Sequence, residues 1–374
     1  MSWPTLPFPE VFIDATGGNI KTKQSEYLPT GAYPIVDQGK ALVGGYTDEE
    51  ASLCKSDEPV IVFGDHTKAL KYVDFPFCLG ADGTKVLVPK IDADLRFLYY
   101  ALHNVDIPDA GYSRHFKFLK RGEIPLPPFE EQRRIAGILD AADALRRRRG
   151  EALALLDTLP GAIFAEMFGS LTTSERYPRG PLSEVIDGFS TGKNLAPASD
   201  EEGTRHRVLK VSAVTKGEFL EVESKPLPAE YSPPESHFVR PGDLLFSRAN
   251  TSALIGATAL VETVSENVVL PDKIWRFDLD DRKANPTFLH HLFATRKFRD
   301  EVSRRASGSS GSMKNISKGK VLSIEIAKPS IEEQNEFARR VKIGRSIRTQ
   351  NTAHLIELET LFASLQSRAF AGAL

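Results

Sequence analysis

Two stretches of this sequence carry side chains whose types and spacing fit contact with a polyanion. In the first, Tyr112, Ser113, Arg114, His115, Phe116, Lys117, Phe118, Leu119, Lys120 and Arg121 interleave cations with aromatics. The second runs from Ser307 to Lys318, is rich in small hydroxyl donors, and holds Ser312, Lys314 and Asn315. Hydroxyls and backbone amides suit phosphate oxygens, whereas Arg114, Lys314 and Asn315 can reach base edges.

Two further loops follow apolar strand-like runs. Gly64, Asp65, His66, Thr67 and Lys68 come after Val60 to Phe63, and Ser247, Arg248, Ala249, Asn250 and Thr251 come after Phe246. Arginine and asparagine make bidentate contacts to guanine and adenine, each worth about 1–3 kcal/mol of discrimination. Lys21, Lys23 and Lys273 complete the candidate nucleic-acid contacts. The competing reading of each stretch is a solvated basic loop. The run Arg146 to Arg149 is assigned to a solvated helix face or a partner contact rather than to phosphate binding.

Catalytic constellations are missing from the sequence. Leu126-Pro127-Pro128-Phe129 mimics an adenine-methylase signature but has leucine where an amide or carboxylate must bind the target amino group. Gly188 to Lys193 is one residue short of a phosphate loop and lacks the hydroxyl after the lysine. His290 and His291 are adjacent on an expected helix, where neighbours point apart, so they read as structural rather than metal-binding. Cys54 and Cys78 are too few for a disulfide framework or a zinc cluster, and both read as buried small apolar residues. The expectation is a chain without catalytic residues, bound metal or cofactor.

Hydrophobic residues at 41% and charged residues at 26% are ordinary for a globular protein. The 374 residues are enough for two or three domains. No long uncharged apolar run and no leader-like start are present, which places the chain in the cytoplasm and away from membranes. The formal charge of −2 lacks the basic excess common in nucleic-acid binders, so affinity for phosphate must come from local patches.

The elements that must position these loops are repeated. Glu130, Glu131 and Gln132 recur 202 positions later as Glu332, Glu333 and Gln334, each time shortly after proline, at what the residue types mark as a helix start. At the same offset Ile135, Leu139, Ala142, Leu145, Leu153, Leu156, Leu159 and Ile163 match Phe337, Val341, Gly344, Ile347, Leu355, Leu358, Leu361 and Leu365, one apolar stripe on each of two long helices. The stripe is interrupted at Arg149 and Asn351, a polar position of the kind that fixes register. Pro160 is expected to bend or break the first helix. Before each helix lie short β-rich runs (Val60 to Phe63, Lys85 to Val88, Asp243 to Phe246, Lys273 to Phe277) and a short helix beginning Phe-Leu (Phe97 to His103, Phe288 to Phe298). Antiparallel packing of two such helices would make a caliper with a domain at each end. A coiled-coil scaffold carrying two protein-binding domains is the alternative.

The segment Ile124-Pro125-Leu126-Pro127-Pro128-Phe129-Glu130-Glu131-Gln132-Arg133-Arg134-Ile135 resembles the conserved region of the specificity subunits of type I restriction-modification systems. The same likeness is carried by Gly64-Asp65-His66-Thr67, Gly111 to Phe116, and Pro241-Gly242-Asp243-Leu244-Leu245-Phe246-Ser247-Arg248. Ala327-Lys328-Pro329-Ser330 departs from the double proline of the pattern. The resemblance implies an α+β chain: two mixed α/β target recognition domains (1–123 and 171–323) separated by two long antiparallel coiled-coil helices (124–170 and 324–374), as a pseudo-twofold repeat. It implies that each domain reads half of a split site in double-stranded DNA. It also implies docking on two methyltransferase subunits that carry S-adenosylmethionine, with ATP-driven restriction subunits in the holoenzyme.

Overall fold

The computed structural model describes residues 3–56, 59–108, 111, 113–169, 171, 176–193, 205–308 and 313–374. The chain divides into two compact units, 1–152 with 351–374, and 153–350. Each long helix therefore contributes one stretch to each unit. Residues 109–110, 112 and 309–312, which include Tyr112 and Ser312, lie outside the described residues.

The two units repeat one plan. In the first, strand Thr5–Pro7 pairs antiparallel with Glu123–Pro125; in the second, Arg179–Pro181 pairs with Glu325–Ala327. A four-stranded antiparallel sheet follows. Its order in the first unit is Phe12–Asp14, Thr84–Pro89, Val60–Gly64, Leu70–Val73, and in the second Ile186–Thr191, Ile274–Leu279, Leu244–Ser247, Thr258–Leu260. Val60 to Phe63 are fully buried, as β-branched and aromatic residues covered on both faces should be. A smaller sheet sits beside each. Tyr33–Val36 runs parallel to Cys78–Gly80 and antiparallel to Gly45–Thr47, and likewise Arg207–Leu209 runs parallel to Val268–Val269 and antiparallel to Ser224–Pro226.

The short helices are Leu95–His103, capped by Asp94, and Pro286–Ala294, capped by Asn285 with proline at the first position. The single helix expected through Phe298 is two. Thr295 is extended and its hydroxyl bonds the carbonyl of Leu292 at 2.6 Å, after which Arg296–Arg305 starts a new helix. Cys78 is buried and Cys54 half-buried, both as free thiols.

The long helices run Phe129–Phe168 and Ile331–Phe370, 40 residues each. Pro160 does not break the first. It removes one backbone donor, but burial of Ile163, Phe164 and Phe168 against Phe288 and Phe337 holds the following turns in place. Within the first unit the helices pack antiparallel: Leu139 and Ala142 share a core with Phe362 and Ala369, the Arg146 guanidinium lies 4.2 Å over the Phe362 ring, and Arg149 donates to the Asn351 amide oxygen. The polar interruption is thus a pair formed by a position and its own repeat copy. Within the second unit Arg348 meets Asp157 at 2.5 Å and Arg340 meets Glu166 at 3.5 Å, again antiparallel. The stripe is not buried throughout. Leu145, Ile347 and Leu361 are exposed, while Ile135, Leu139, Phe337 and Val341 are in the cores.

Gln132 and Gln334 fasten these parts together. Each is almost wholly buried; Gln132 Nε2 donates to Pro127 O and its Oε1 accepts from Asp94 N, both at 2.9 Å. Gln334 repeats both bonds with Pro329 O and Asn285 N at the same 2.9 Å. One amide thereby ties the start of the long helix to the cap of the short one. Gln132→Ala or Gln334→Ala strands a buried N–H and a buried carbonyl, so urea unfolding of either variant is expected to show a loss of about 2–4 kcal/mol, against less than 1 kcal/mol for a surface glutamine.

His290 is buried beneath strand Thr258–Leu260 with Nδ1 3.0 Å from the Thr258 hydroxyl. Burial first, then the neighbouring His291 and Arg345, push its pKa down to about 3. The unfolded chain takes up that proton from about pH 6.5 downward, so this stability is complete above 6.5 and is lost as pH falls toward 3. Urea midpoints between pH 7 and 4.5 are expected to fall less steeply for His290→Gln than for the parent, by up to about 1 kcal/mol per pH unit.

Candidate nucleic-acid interface

Backbone hydrogen bonds gather the candidate loops at one junction per unit. At the end of strand Val60–Gly64, Asp65 N donates to Gly83 O at 2.6 Å, and Asp65 O accepts from His115 N at 2.7 Å. At the end of strand Leu244–Ser247, Arg248 N donates to Lys273 O and Arg248 O accepts from Ile316 N, both at 3.1 Å. Asp65 and Arg248 thus occupy the same place, where three separate segments meet. In the second unit the junction is extended by a strand pair, Ala249 with Asn315 and Asn250 with Lys314.

Side chains at the first junction divide into braces and free groups. Asp65 is 4% exposed; its carboxylate accepts from Phe116 N at 2.7 Å and caps the helix Phe116–Leu119, so it is placed as a brace rather than as a surface contact. His115 is buried too, with Nδ1 3.0 Å from Asp65 O. The Nε2 of His115, Ser113 Oγ and Thr84 Oγ1 are buried without a hydrogen-bond partner among the described residues, a concentration of unmet polar atoms at the junction. Arg114 and Lys117 are exposed, and Lys117 lies 4.8 Å over the Phe118 ring. His66 and Lys68 occupy the adjoining turn: His66 N donates to Gln38 Oε1 at 3.3 Å, and Lys68 holds the left-handed φ of 60°, with Nζ 3.3 Å from Ile107 O. A non-glycine residue in that conformation is uncommon. Lys21, on strand Lys21–Thr22, and Lys23, just after it, are exposed, and Thr22 O accepts from Ala81 N at 2.7 Å, two residues before Gly83 of the junction.

At the second junction Arg248 is partly exposed. Its Nε donates to Asp272 O at 2.8 Å, its NH2 lies 3.6 Å from the Asp272 carboxylate, and the guanidinium stands 5.9 Å from the Trp275 ring centre. Lys273 flanks it. Ser247 is wholly buried and lies 3.4 Å from Asn250 Nδ2, so it supports the loop from beneath. Asn250 Oδ1 caps Thr251 N at 2.8 Å, and Thr251 O accepts from the amides of Leu254 and Ile255. Lys314 is half-buried with Nζ 3.3 Å from Ser303 O, and Asn315 is exposed.

Two neighbours, Gln38 and Trp275, escape the sequence reading as contacts, and Lys318 enters it only as the end of a candidate stretch. Gln38 supports the His66 turn, accepting from His66 N and from the Thr67 hydroxyl. Trp275 underlies Arg248, and Lys318 lies 6.0 Å from its ring centre while donating to Phe189 O at 2.7 Å. Lys318 ends a stretch already singled out, whereas nothing in the sequence around Gln38 distinguishes it from any surface glutamine. The run Arg146 to Arg149 is partly folded away: Arg146 bonds Asp143 at 2.8 Å and stacks on Phe362, and Arg149 meets Asn351. Among the described residues no cluster of His, Cys, Asp and Glu is arranged to hold a metal ion, and no helix is long and apolar enough to cross a membrane.

Comparison with known proteins agrees with this architecture. Residues 5–153 match the profile of the type I restriction modification DNA specificity domain. The chain is 27% identical to the EcoKI specificity subunit of Escherichia coli K12 over 67% of its own length and 57% of that protein's. It is 22% identical to the EcoR124I/EcoR124II specificity subunit of E. coli over 84% of this chain and 80% of that one. The alignment to the MjaVIII specificity subunit of Methanocaldococcus jannaschii, at 24% identity, spans 60% of this chain and 56% of that protein. The fold matches the crystal structure of a type I restriction-modification S subunit from M. genitalium with TM-score 0.60 and 15% identity, covering 99% of this chain and 96% of the other. A structure from a study of complex assembly in the type I system matches at TM-score 0.54 and 17% identity, over 100% and 98%.

The double role of Asp65 separates its charge from its acceptor. Asp65→Ala is expected to lower stability toward urea by about 1–2 kcal/mol, whereas Asp65→Asn, which keeps an Oδ1 acceptor for Phe116 N, is expected to lose less than half as much.

Proposed function

We propose that this chain is a specificity subunit of a type I restriction-modification system, as its similarity to such subunits supports, and that it reads a two-part site in double-stranded DNA, one half with each unit. The observation that carries the reading is the repeated junction. In each unit the same three segments are tied by the same backbone bonds, and exposed or half-exposed cationic groups lie on those segments: Lys68, Arg114 and Lys117 in the first, Arg248, Lys273 and Lys314 in the second, with Lys21 and Lys23 exposed on a neighbouring strand and turn of the first unit. Arginine at such a loop can read guanine in the major groove, with hydroxyls and lysines positioning the backbone.

In this reading the chain contributes recognition and not catalysis. Methyl transfer belongs to two docked methyltransferase subunits carrying S-adenosylmethionine, and cleavage to ATP-dependent restriction subunits. The long helices serve as spacer and docking surface, since 40 residues at 1.5 Å each extend for about 60 Å. The side chains of Leu155, 71% exposed, Ile356, 59%, and Leu145, 51%, are apolar groups on those helices that a docked subunit would cover. The complex would work in the cytoplasm, where the DNA is.

The decisive experiment is to co-express the chain with its modification subunit and to map methylated adenines across the host genome. A split motif establishes the reading. Absence of any modified motif, with the two proteins soluble and co-purifying, turns the assignment toward a protein-binding scaffold. Arg114→Ala is expected to relax the motif in one half only and Arg248→Ala in the other only, each by about 1–3 kcal/mol, or roughly 5- to 150-fold in base preference, as read from bound-DNA selection. Loss of both halves from one change would refute modular reading.

A further inference from the structure

Four lysines of the second unit converge on one cleft. Lys193, Lys210, Lys225 and Lys273, with Asp272, line a cavity of about 210 Å³ beside the Arg248 junction. The sequence builds it through a close approach of main chain: a Cβ on Gly192 would stand 1.7 Å from Leu270 O, so only glycine lets the chain bring Lys193 against Pro271 to Lys273. Thr191 Oγ1 secures this approach by donating to Pro271 O at 3.3 Å. Lys210 follows strand Arg207–Leu209, and Lys225 lies opposite Val208 on the adjoining strand. Asp272 is engaged by Arg248, and among the described residues none of the four lysines forms an ion pair. The side of His237 feels the same charge: burial first, then Lys193 and Arg276, hold its pKa below the ordinary histidine value.

The first unit closes the corresponding space. Strand register sets Val36 opposite Leu79 and Val208 opposite Val269, so Gln38 stands where Lys210 stands; Gly83 stands where Lys273 does, each accepting from the junction residue. There the Gln38 amide packs so tightly that a Cβ on Gly83 would meet its Oε1 at 2.6 Å. Lys71, on the neighbouring strand, turns inward, with Nζ donating to Asp37 O at 2.7 Å and almost fully buried. One place in the repeated plan is thus filled by a neutral amide in one unit and opened and ringed by ammonium groups in the other.

Unpaired ammonium groups around one cleft repel each other unless an anion sits among them, and lysine, a compact point charge, suits phosphate oxygens rather than the bidentate pattern of a base. We propose that this cleft grips a backbone phosphate of the DNA duplex, so that sequence-independent affinity is concentrated in the second unit beside its base-reading arginine. The inference rests on the DNA-reading function above and adds an asymmetry that the repeat does not require.

The test uses the full chain with Lys193→Gln, Lys210→Gln and Lys225→Gln combined, leaving Lys273 intact because it sits at the base-reading junction. Binding to a duplex carrying the complete site is measured by fluorescence anisotropy across a salt series, alongside selection of bound sequences. The slope of log affinity against log salt is expected to flatten by about 1, near 0.9 for the one phosphate contact removed, with base preference at both half-sites unchanged. A slope within about 0.5 of the parent's overturns the proposal, as does a changed base preference in the second half-site. A second arm titrates inorganic phosphate at constant ionic strength: phosphate bound by the parent and lost in the variant, with the DNA slope unaltered, would assign the cleft to a small phosphate-bearing ligand and overturn the duplex grip. A parent chain that binds DNA with no sequence preference would sink the two-part reading while the slope comparison still decides the cleft.

Discussion

One buried side-chain amide holds each unit in its working arrangement. Gln132 joins the carbonyl of Pro127 to the amide of Asp94, and Gln334 does the same for Pro329 and Asn285. The carbonyl of Pro127 or Pro329 lies just ahead of the long helix's own bonds, and the cap residue of the short helix has a backbone donor that no helical bond uses. A glutamine is the residue that satisfies both at once, because its amide offers an acceptor and a donor on one planar group. The bond pair fixes the long helix against the short one, the short helix covers the four-stranded sheet, and the sheet ends in the loops at the junction. The carboxylates next to these glutamines suit the helix dipole, but the amide supplies the mechanical link.

Charge in this protein is sorted by position rather than by total. A net −2 conceals three uses of lysine and arginine. Lys71 is an internal tie, bonded to the carbonyls of Asp37 and Leu42. The long helices carry arginines matched to acids one turn away, such as Arg339 and Arg340 with Glu336, which neutralise each other on an exposed face. The four lysines that line the cleft of the second unit form no such pair among the described residues. A count of charges over the whole chain therefore says little about where an anion would be received.

Much of this organisation was legible in the sequence, for a physical reason. The 202-residue offset between copies exposes itself because helices and caps depend on side-chain type at fixed spacing: Glu-Glu-Gln after proline, an apolar residue every three or four positions, the polar step at Arg149 and Asn351. The junction loops were found because they follow strands and carry cations. What could not be read is set by distant contacts. Nothing local distinguishes the buried Asp65 from the exposed Arg114, Gln38 becomes informative only once its strand lies beside the His66 turn, and the helix through Pro160 persists because Phe164 and Phe168 are packed by residues more than a hundred positions away. The break at Thr295 belongs to the same class, since Phe298 continues the apolar pattern across it.

The atoms that hold Asp65 and Arg248 at their junctions are main-chain N–H and C=O groups. Every residue but proline brings both. The main-chain bonds are therefore common to an acidic residue in one unit and a basic one in the other, while each side chain adds a bond of its own, the Asp65 carboxylate to Phe116 N and the Arg248 guanidinium to Asp272 O. Under the proposed reading, these main-chain bonds keep the seat in place when the side chain it shows is exchanged, less whatever bond that side chain itself made. A chain that reads DNA as proposed, and is built this way, changes its target faster than its shape.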